Sequence, residues 1–471
     1  MMILKNNTFN IALILALIFG LFLRIYNINH EDLWVDEMST FWISNPNIAL
    51  ETSYKNNSLL EVQPFFYNFL MRIYFSILGY NVDYGRYVSA IFSALSILST
   101  SYISWIISKN KSYLLTAFLI SFNVFLIGYA QELRVYSLLF FFISLTIIFI
   151  LRVLKDENFF NIFFLNLLFI FSIFLHPFSL ILLFSIIIYL LLIFLVKKLF
   201  FRKTMYSVMG ISIVAIIYYL VHLSNLVPDS SEAYFFLDNP NFKFLTNMYF
   251  SNFFGSRILG LFFLFLFLFA IKFSIKKIIL LKDISFLFIF FLLSYIVPTV
   301  YGFLFHPIIQ PKYIIFVIIP IIVIISDFIF LSNKNIKFFL IFFSLFLTVG
   351  NLITEQALKQ FFVERPHYKP EINKTLTLIE KTNNKKFLIK VDPYDNIKEP
   401  WTNAVENYLF YLIEKRQLNV EYLQNYTQIK NSTWEICIHD LNYYGCQNKK
   451  FEVQKKFDLN RITLNLILKN K

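Results

Sequence analysis

Residues 9–26 read FNIALILALIFGLFLRIY, and residues 33–39, a short way on, read LWVDEMS. The first stretch is apolar over nearly the ~20 residues that cross a bilayer. It lacks a small-residue cleavage site and further apolar runs follow, so it reads as a retained membrane helix, not a signal peptide. The second stretch sets Asp36 beside Glu37 just beyond that helix. Two adjacent carboxylates are costly at a membrane boundary unless they face water, a partner or a substrate. The plainer reading is a solvated pair, or the first turn of a helix, where acids complement the dipole.

The rest of the chain repeats the apolar pattern. Of its 471 residues 58% are hydrophobic and 15% charged, 61 are phenylalanine, and the mean hydropathy is +0.63. Such a composition excludes a soluble globular domain and predicts a polytopic α-helical membrane protein. Hydropathy marks about eleven transmembrane helices, near 8–27, 87–108, 112–128, 136–153, 159–175, 178–196, 206–223, 257–274, 283–300, 313–331 and 336–353. The net charge of +13 is spread over short loops between these runs. That is a topogenic pattern, without the basic aromatic platform of a nucleic-acid binder. One set of loops is rich in basic residues: Lys5; Lys109 and Lys111; Arg152 and Lys155; Lys197, Lys198, Arg202 and Lys203; Lys272, Lys276, Lys277 and Lys282; Lys334 and Lys337. The opposite set has few: Lys55, Arg72, Arg86, Arg134, Lys243, Arg257 and Lys312. The positive-inside rule puts the N-terminus in the cytoplasm, and an odd number of spans puts the C-terminal region outside.

Two domains are expected: a membrane domain, 1–353, whose extracytoplasmic loop 28–86 carries the acid pair, and a small extracytoplasmic α/β domain, 354–471. Within the loop, Pro64–Tyr80 reads as an amphipathic helix on the membrane surface. The segment 224–256, with Pro228-Asp229-Ser230-Ser231, reads as a mobile loop. In the tail, strands are expected at Phe387–Val391, Trp434–His439 and Ile462–Leu468, and helices near 370–381 and 403–415. The two cysteines, Cys437 and Cys446, are either buried apolar residues or a disulfide of an oxidising compartment.

Polar groups on the outside face are few. Gln131-Glu132-Leu133-Arg134 forms a tight turn between spans, read either as an internal ion pair or as a functional cluster. Arg86 and Lys312 stand at the mouths of spans, where cations snorkel to headgroups or hold a phosphate. His176 and His306, each before a proline, are structural hydrogen-bonders or, less readily, metal ligands.

The order of these pieces resembles the membrane glycosyltransferases of the C superfamily (GT-C), near the protein O-mannosyltransferase-like and lipid A aminoarabinose transferase-like enzymes. The resemblance rests on Leu33-Trp34-Val35-Asp36-Glu37, Gln63-Pro64-Phe65-Phe66-Tyr67, Gly85-Arg86-Tyr87-Val88-Ser89-Ala90, Tyr129 to Tyr136, and Gln310-Pro311-Lys312-Tyr313 through Pro320. Lys312 stands where the pattern has arginine. The segment Arg365-Pro366-His367-Tyr368-Lys369-Pro370-Glu371 is similar to the start of the extracytoplasmic domain of these enzymes.

The resemblance implies an inverting transferase of the cell membrane. It would move a sugar from a polyprenyl-phosphate donor to a protein, lipid or glycan acceptor. Asp36 would be the general base, and Glu37 would position the acceptor or hold a divalent metal. Arg86, Arg134 and Lys312 would hold the donor phosphate, with Glu132 orienting Arg134 or meeting sugar hydroxyls. Gln63, His176 and His306 are further candidates. The competing readings are a lipid-linked sugar flippase or transporter, and a non-catalytic assembly subunit.

Overall fold

The computed structural model describes residues 7–29, 32–225, 241–280, 283–354, 376, 387–391, 399–418, 420–422, 434–440, 452–459 and 462–468. Cys446, and with it the choice between disulfide and buried thiols, the helix near 370–381 apart from residue 376, the Arg365–Glu371 segment and the Pro228–Ser231 loop fall outside these residues. The chain divides into two compact units: Met1–Tyr26, Gln63–Tyr67 and Arg86–Glu364; and Asn27–Val62, Asn68–Gly85 and Arg365–Lys471.

The first unit is helical. Among the described residues, eight helices are long and apolar enough to cross a membrane. They correspond to the hydropathy runs near 87–108, 136–153, 178–196, 206–223, 257–274, 283–300, 313–331 and 336–353. The segments Ile11–Ile25 and Phe159–Leu175 are shorter apolar helices. The run at 112–128 is not one straight helix. It is α6 (Ser112–Ser121) and α7 (Val124–Ala130), bent by 55°. Asn123 makes the break, since its side chain accepts from the Leu126 N–H at 2.9 Å and so caps α7, while its amide donates to Phe253 O at 3.0 Å.

A break inside an apolar bundle leaves backbone carbonyls that no water can satisfy. Arg24, fully buried in the last turn of α1 (Asn7–Ile25), satisfies them. Its guanidinium donates to Ile120 O at 3.1 Å and Ser121 O at 3.0 Å, to its own Gly20 O at 2.8 Å, and to Ser93 Oγ at 2.8 Å on α5 (Val82–Ser108). Gln131, just past α7, returns the favour by donating to Leu23 O and Tyr26 O at 3.4 and 3.2 Å. Gly20 lets α1 come this close, because a Cβ there would lie 2.4 Å from Ile97 Cδ1 and 3.0 Å from Ser121 Oγ.

The second unit joins the N-terminal loop to the tail, where the sequence predicted a loop belonging to the membrane domain. Its helices are α2 (Val35–Ile43), α3 (Leu50–Leu60) and the tail helix α17 (Glu399–Lys415); α4 (Phe66–Leu78) contributes from Asn68 onward. The reason is an aromatic cluster. Phe41 of α2 stacks on Tyr80 with ring centroids 4.1 Å apart and meets Phe75 at 5.6 Å, Tyr411 at 5.0 Å and Tyr408 at 6.5 Å. Polar tips fix the cluster. Tyr408 donates to Asp32 Oδ1 and Tyr411 to Asn81 Oδ1, both at 2.8 Å, and Lys415 pairs with Asp83. Arg72 of α4 donates to the carbonyls of Asn45, Pro46 and Ile48, clasping the turn between α2 and α3.

The tail also holds a five-stranded sheet in the order β2-β1-β3-β5-β4. Its strands are β1 (Phe387–Val391), β2 (Val420–Tyr422), β3 (Trp434–Asp440), β4 (Glu452–Leu459) and β5 (Ile462–Leu468). β1 runs parallel to β2 and β3, while β5 runs antiparallel to β3 and β4. Two strands escaped the sequence reading: β2 is short, and the charged residues of β4 mask its alternation.

Replacing Arg24 by alanine should cost about 3 kcal/mol, because carbonyls at a break in the bundle lose their donor. Thermal unfolding in detergent, followed by tryptophan fluorescence, measures the loss. An unchanged midpoint would show that the break needs no such partner.

Candidate active site

The acid pair opens α2. Trp34 is the N-cap, so Asp36 and Glu37 are the second and third residues of the helix. Glu37 is fully buried, and its Oε2 accepts from the Trp34 N–H at 3.3 Å, which is half of a capping box. Asp36 is half-buried. Both carboxylates lie in the first turn, where the helix dipole favours negative charge. The helix itself is anchored on both sides, by Phe41 in its aromatic cluster and by Ser39 Oγ, which donates to Glu61 Oε1 at 3.0 Å. The two carboxylates thus differ: Glu37 is engaged in holding the start of the helix, and Asp36 is the more accessible one.

The cations belong to the first unit, where four of the sequence candidates come together around two tyrosines. Tyr136 is the first residue of α8 (Tyr136–Val153). His176 joins α9 (Phe159–Leu175) to the short 3-10 turn Pro177–Ser179 that leads into α10 (Leu180–Lys197). Lys312 and Tyr313 lie in a second 3-10 turn, Pro311–Val317, ahead of α15 (Ile318–Leu331). The ring of Tyr136 stands 6.2 Å from both His176 and Tyr313, and His176 is 5.1 Å from Tyr313. Gln63 Nε2 donates to Tyr136 Oη at 3.2 Å. Lys312 Nζ lies 5.6 Å from the centroid of Tyr136 and 5.7 Å from that of Tyr313, within cation–π range.

Arg134 completes the group. It is 4% exposed, and its charge reaches His176. Its backbone is pinned from two directions, by Ser89 Oγ donating to Arg134 O at 3.2 Å and by its own N–H donating to Glu132 O at 2.9 Å. Arg86, also buried, precedes Ser89 by one turn of α5. Burial, and then the charges of Arg134 and Lys312, lower the pKa of His176 to about 3. Its Nδ1 accepts from the Phe178 N–H at 3.2 Å, so the ring is a neutral imidazole that adds no charge of its own.

His306 has a different setting, its ring 5.3 Å from that of Tyr301. Glu132 is partly buried in the turn. Among the described residues no group of three His, Cys, Asp or Glu side chains is arranged to hold a metal ion. The sequence reading gave no role to Tyr136 and Tyr313. The signal available was an aromatic residue within two positions of each cation, Arg134-Val135-Tyr136 and Lys312-Tyr313. Chemically, the cluster sets two cations and phenolic and amide groups around a neutral ring.

No protein-family model matches the chain, and no curated protein matches it by sequence. Solved structures do match its fold. ArnT of Cupriavidus metallidurans bound to undecaprenyl phosphate aligns at a TM-score of 0.53 and 13% identity, over 96% of this chain and 97% of that one. The same protein in the apo state aligns at 0.54 and 11%, with the same coverage. The archaeal oligosaccharyltransferase AglB of Archaeoglobus fulgidus, in complex with an inhibitory peptide and a dolichol-phosphate, aligns at 0.53 and 11%, over 94% of this chain and 70% of that one. ArnT, an aminoarabinose transferase, and AglB are both GT-C glycosyltransferases, and this chain shares their fold.

Proposed function

We propose that the protein is an inverting membrane glycosyltransferase. It takes a sugar from a polyprenyl-phosphate donor and passes it to a hydroxyl or amine of an extracytoplasmic protein, lipid or glycan. The observation that carries this reading is the cationic cluster of Arg134 and Lys312 around neutral His176, in a fold shared with a transferase crystallised with undecaprenyl phosphate. In this reading the N-terminus is cytoplasmic, and the acid pair, the cation cluster and the tail are extracytoplasmic.

The chemistry follows from the two sets of charges. The acceptor's O–H or N–H gives its proton to the Asp36 carboxylate as its heteroatom bonds to the anomeric carbon. The bond from that carbon to the phosphate oxygen breaks, and polyprenyl phosphate leaves with the electron pair. One displacement inverts the anomeric centre. Arg134 and Lys312, with Arg86 behind them, stabilise the phosphate as its charge grows. Tyr136, Tyr313 and Gln63 offer hydroxyl and amide groups to the phosphate or the sugar. Glu37 acts through the helix start and so positions Asp36.

A flippase or transporter would exploit a broken helix at membrane depth. The break between α6 and α7 is such a feature, but Arg24 already occupies its freed carbonyls. That observation favours the enzyme. Turnover of no polyprenyl-phosphate sugar by the wild-type chain, across a panel of donors, would favour the non-enzymatic readings instead.

Asp36→Asn should lower transfer by at least ~10²-fold, read as released polyprenyl phosphate, with its elution profile from size exclusion unchanged. Near-normal transfer would remove Asp36 as the base. Glu37→Gln keeps a capping acceptor and should fold as wild type, whereas Glu37→Ala should lose about 1 kcal/mol of stability.

Arg134→Ala and Lys312→Ala should each weaken donor binding roughly 10–100-fold, the worth of one charge-assisted hydrogen bond, while Lys312→Arg retains most of it. Donor affinity measured from pH 5 to 8 should have no inflexion near 6.5, because His176 stays neutral down to about 3. The same lowered pKa means its unfolded form takes up a proton first. Its contribution to stability is therefore complete above pH 6.5 and is lost on acidification from there toward 3.

A further inference from the structure

A second polar site lies at the other ends of the same helices. Tyr136 begins α8 and Leu154 follows its end, about 27 Å away at about 1.5 Å per residue. Leu154 lines a cavity of about 440 Å³. The C-terminal ends of α5, α8, α10 and α13 (Arg257–Ile279) reach this cavity, together with the first residue of α14 (Asp283–Leu304). Four charged side chains line it: Lys197, Lys277, Asp283 and Asp327.

The charges are ordered in pairs. Lys277 Nζ is 3.5 Å from Asp327 Oδ2, a carboxylate 2% exposed near the end of α15. Lys155 Nζ is 3.2 Å from Asp283 Oδ2. The converging helix C-termini add partial negative charge, which the lysines complement. Between the charged groups the wall is apolar, through Ile193, Leu199 and Phe201. The size is that of a small-molecule pocket. A purely anionic guest would meet two carboxylates, and a purely cationic one two ammonium groups. A guest with one charge of each sign satisfies both.

We propose that this cavity binds a zwitterionic phosphate ester carrying a primary ammonium, the chemistry of a phosphoethanolamine headgroup. The phosphate goes to Lys197 and Lys277, and the ammonium to Asp283 and Asp327. The site lies on the face of the basic loops, cytoplasmic in the orientation above, and is separate from the transfer chemistry.

The test uses the full-length chain, delipidated in detergent. It is titrated with phosphatidylethanolamine, phosphatidylglycerol or free O-phosphoethanolamine, and bound ligand is read by native mass spectrometry. Phosphatidylethanolamine should be retained at least tenfold better than phosphatidylglycerol. Lys197→Ala and Asp283→Asn should each lower that retention fivefold or more, and Lys312→Ala should leave it unchanged. Retention of free O-phosphoethanolamine at equal affinity supports the site with a soluble ester as its guest; its absence supports the lipid. Equal retention of the two lipids, or wild-type retention by both Lys197→Ala and Asp283→Asn in protein that elutes as a single species, overturns the proposal.

Discussion

Backbone carbonyls freed inside an apolar bundle must find donors, and in this protein Arg24 supplies them. The bend between α6 and α7 exposes the carbonyls of Ile120 and Ser121. A buried guanidinium is itself costly unless its N–H groups are used. The bend and the arginine therefore satisfy each other, and neither is stable alone. Gln131 closes the arrangement from α7 back to the end of α1. The turn that follows is held in consequence, and it delivers Arg134 and Tyr136 to the candidate site.

The acid pair depends on a different constraint. A nine-residue helix has little stability of its own. α2 is held by packing, with Phe41 in a ring of tyrosines and phenylalanine, and by the Glu37 cap at its start. This separates the roles of two neighbouring carboxylates that look equivalent in the chain. Burial and a backbone hydrogen bond commit Glu37 to structure, and Asp36 is the less buried of the two.

Aromatic residues answer a general difficulty of anion sites in membranes. Cations gathered for a phosphate repel one another, and here a third charge on His176 would worsen that. Burial keeps the imidazole neutral, and the faces of Tyr136 and Tyr313 lie within reach of the Lys312 ammonium.

Much of this was legible in the amino-acid sequence. Apolar runs locate the membrane helices because hydrophobic length is a local property. Charge alternation between loops proposes an orientation for the same reason. Ordered motifs pointed to the fold and to Arg134, Lys312 and Gln63, and a His-Pro turn to His176; the tertiary structure gathers these around Tyr136 and Tyr313. What depended on contacts across the chain was out of reach. Phe41 meets Tyr411 over hundreds of residues, so the affiliation of the N-terminal loop with the tail had no local sign. In the sequence Arg24 is one charge within an apolar run, and its purpose emerges only with the bend it supports. That Glu37 is a buried cap and Asp36 its half-buried neighbour was likewise decided by tertiary packing, which sequence order does not encode.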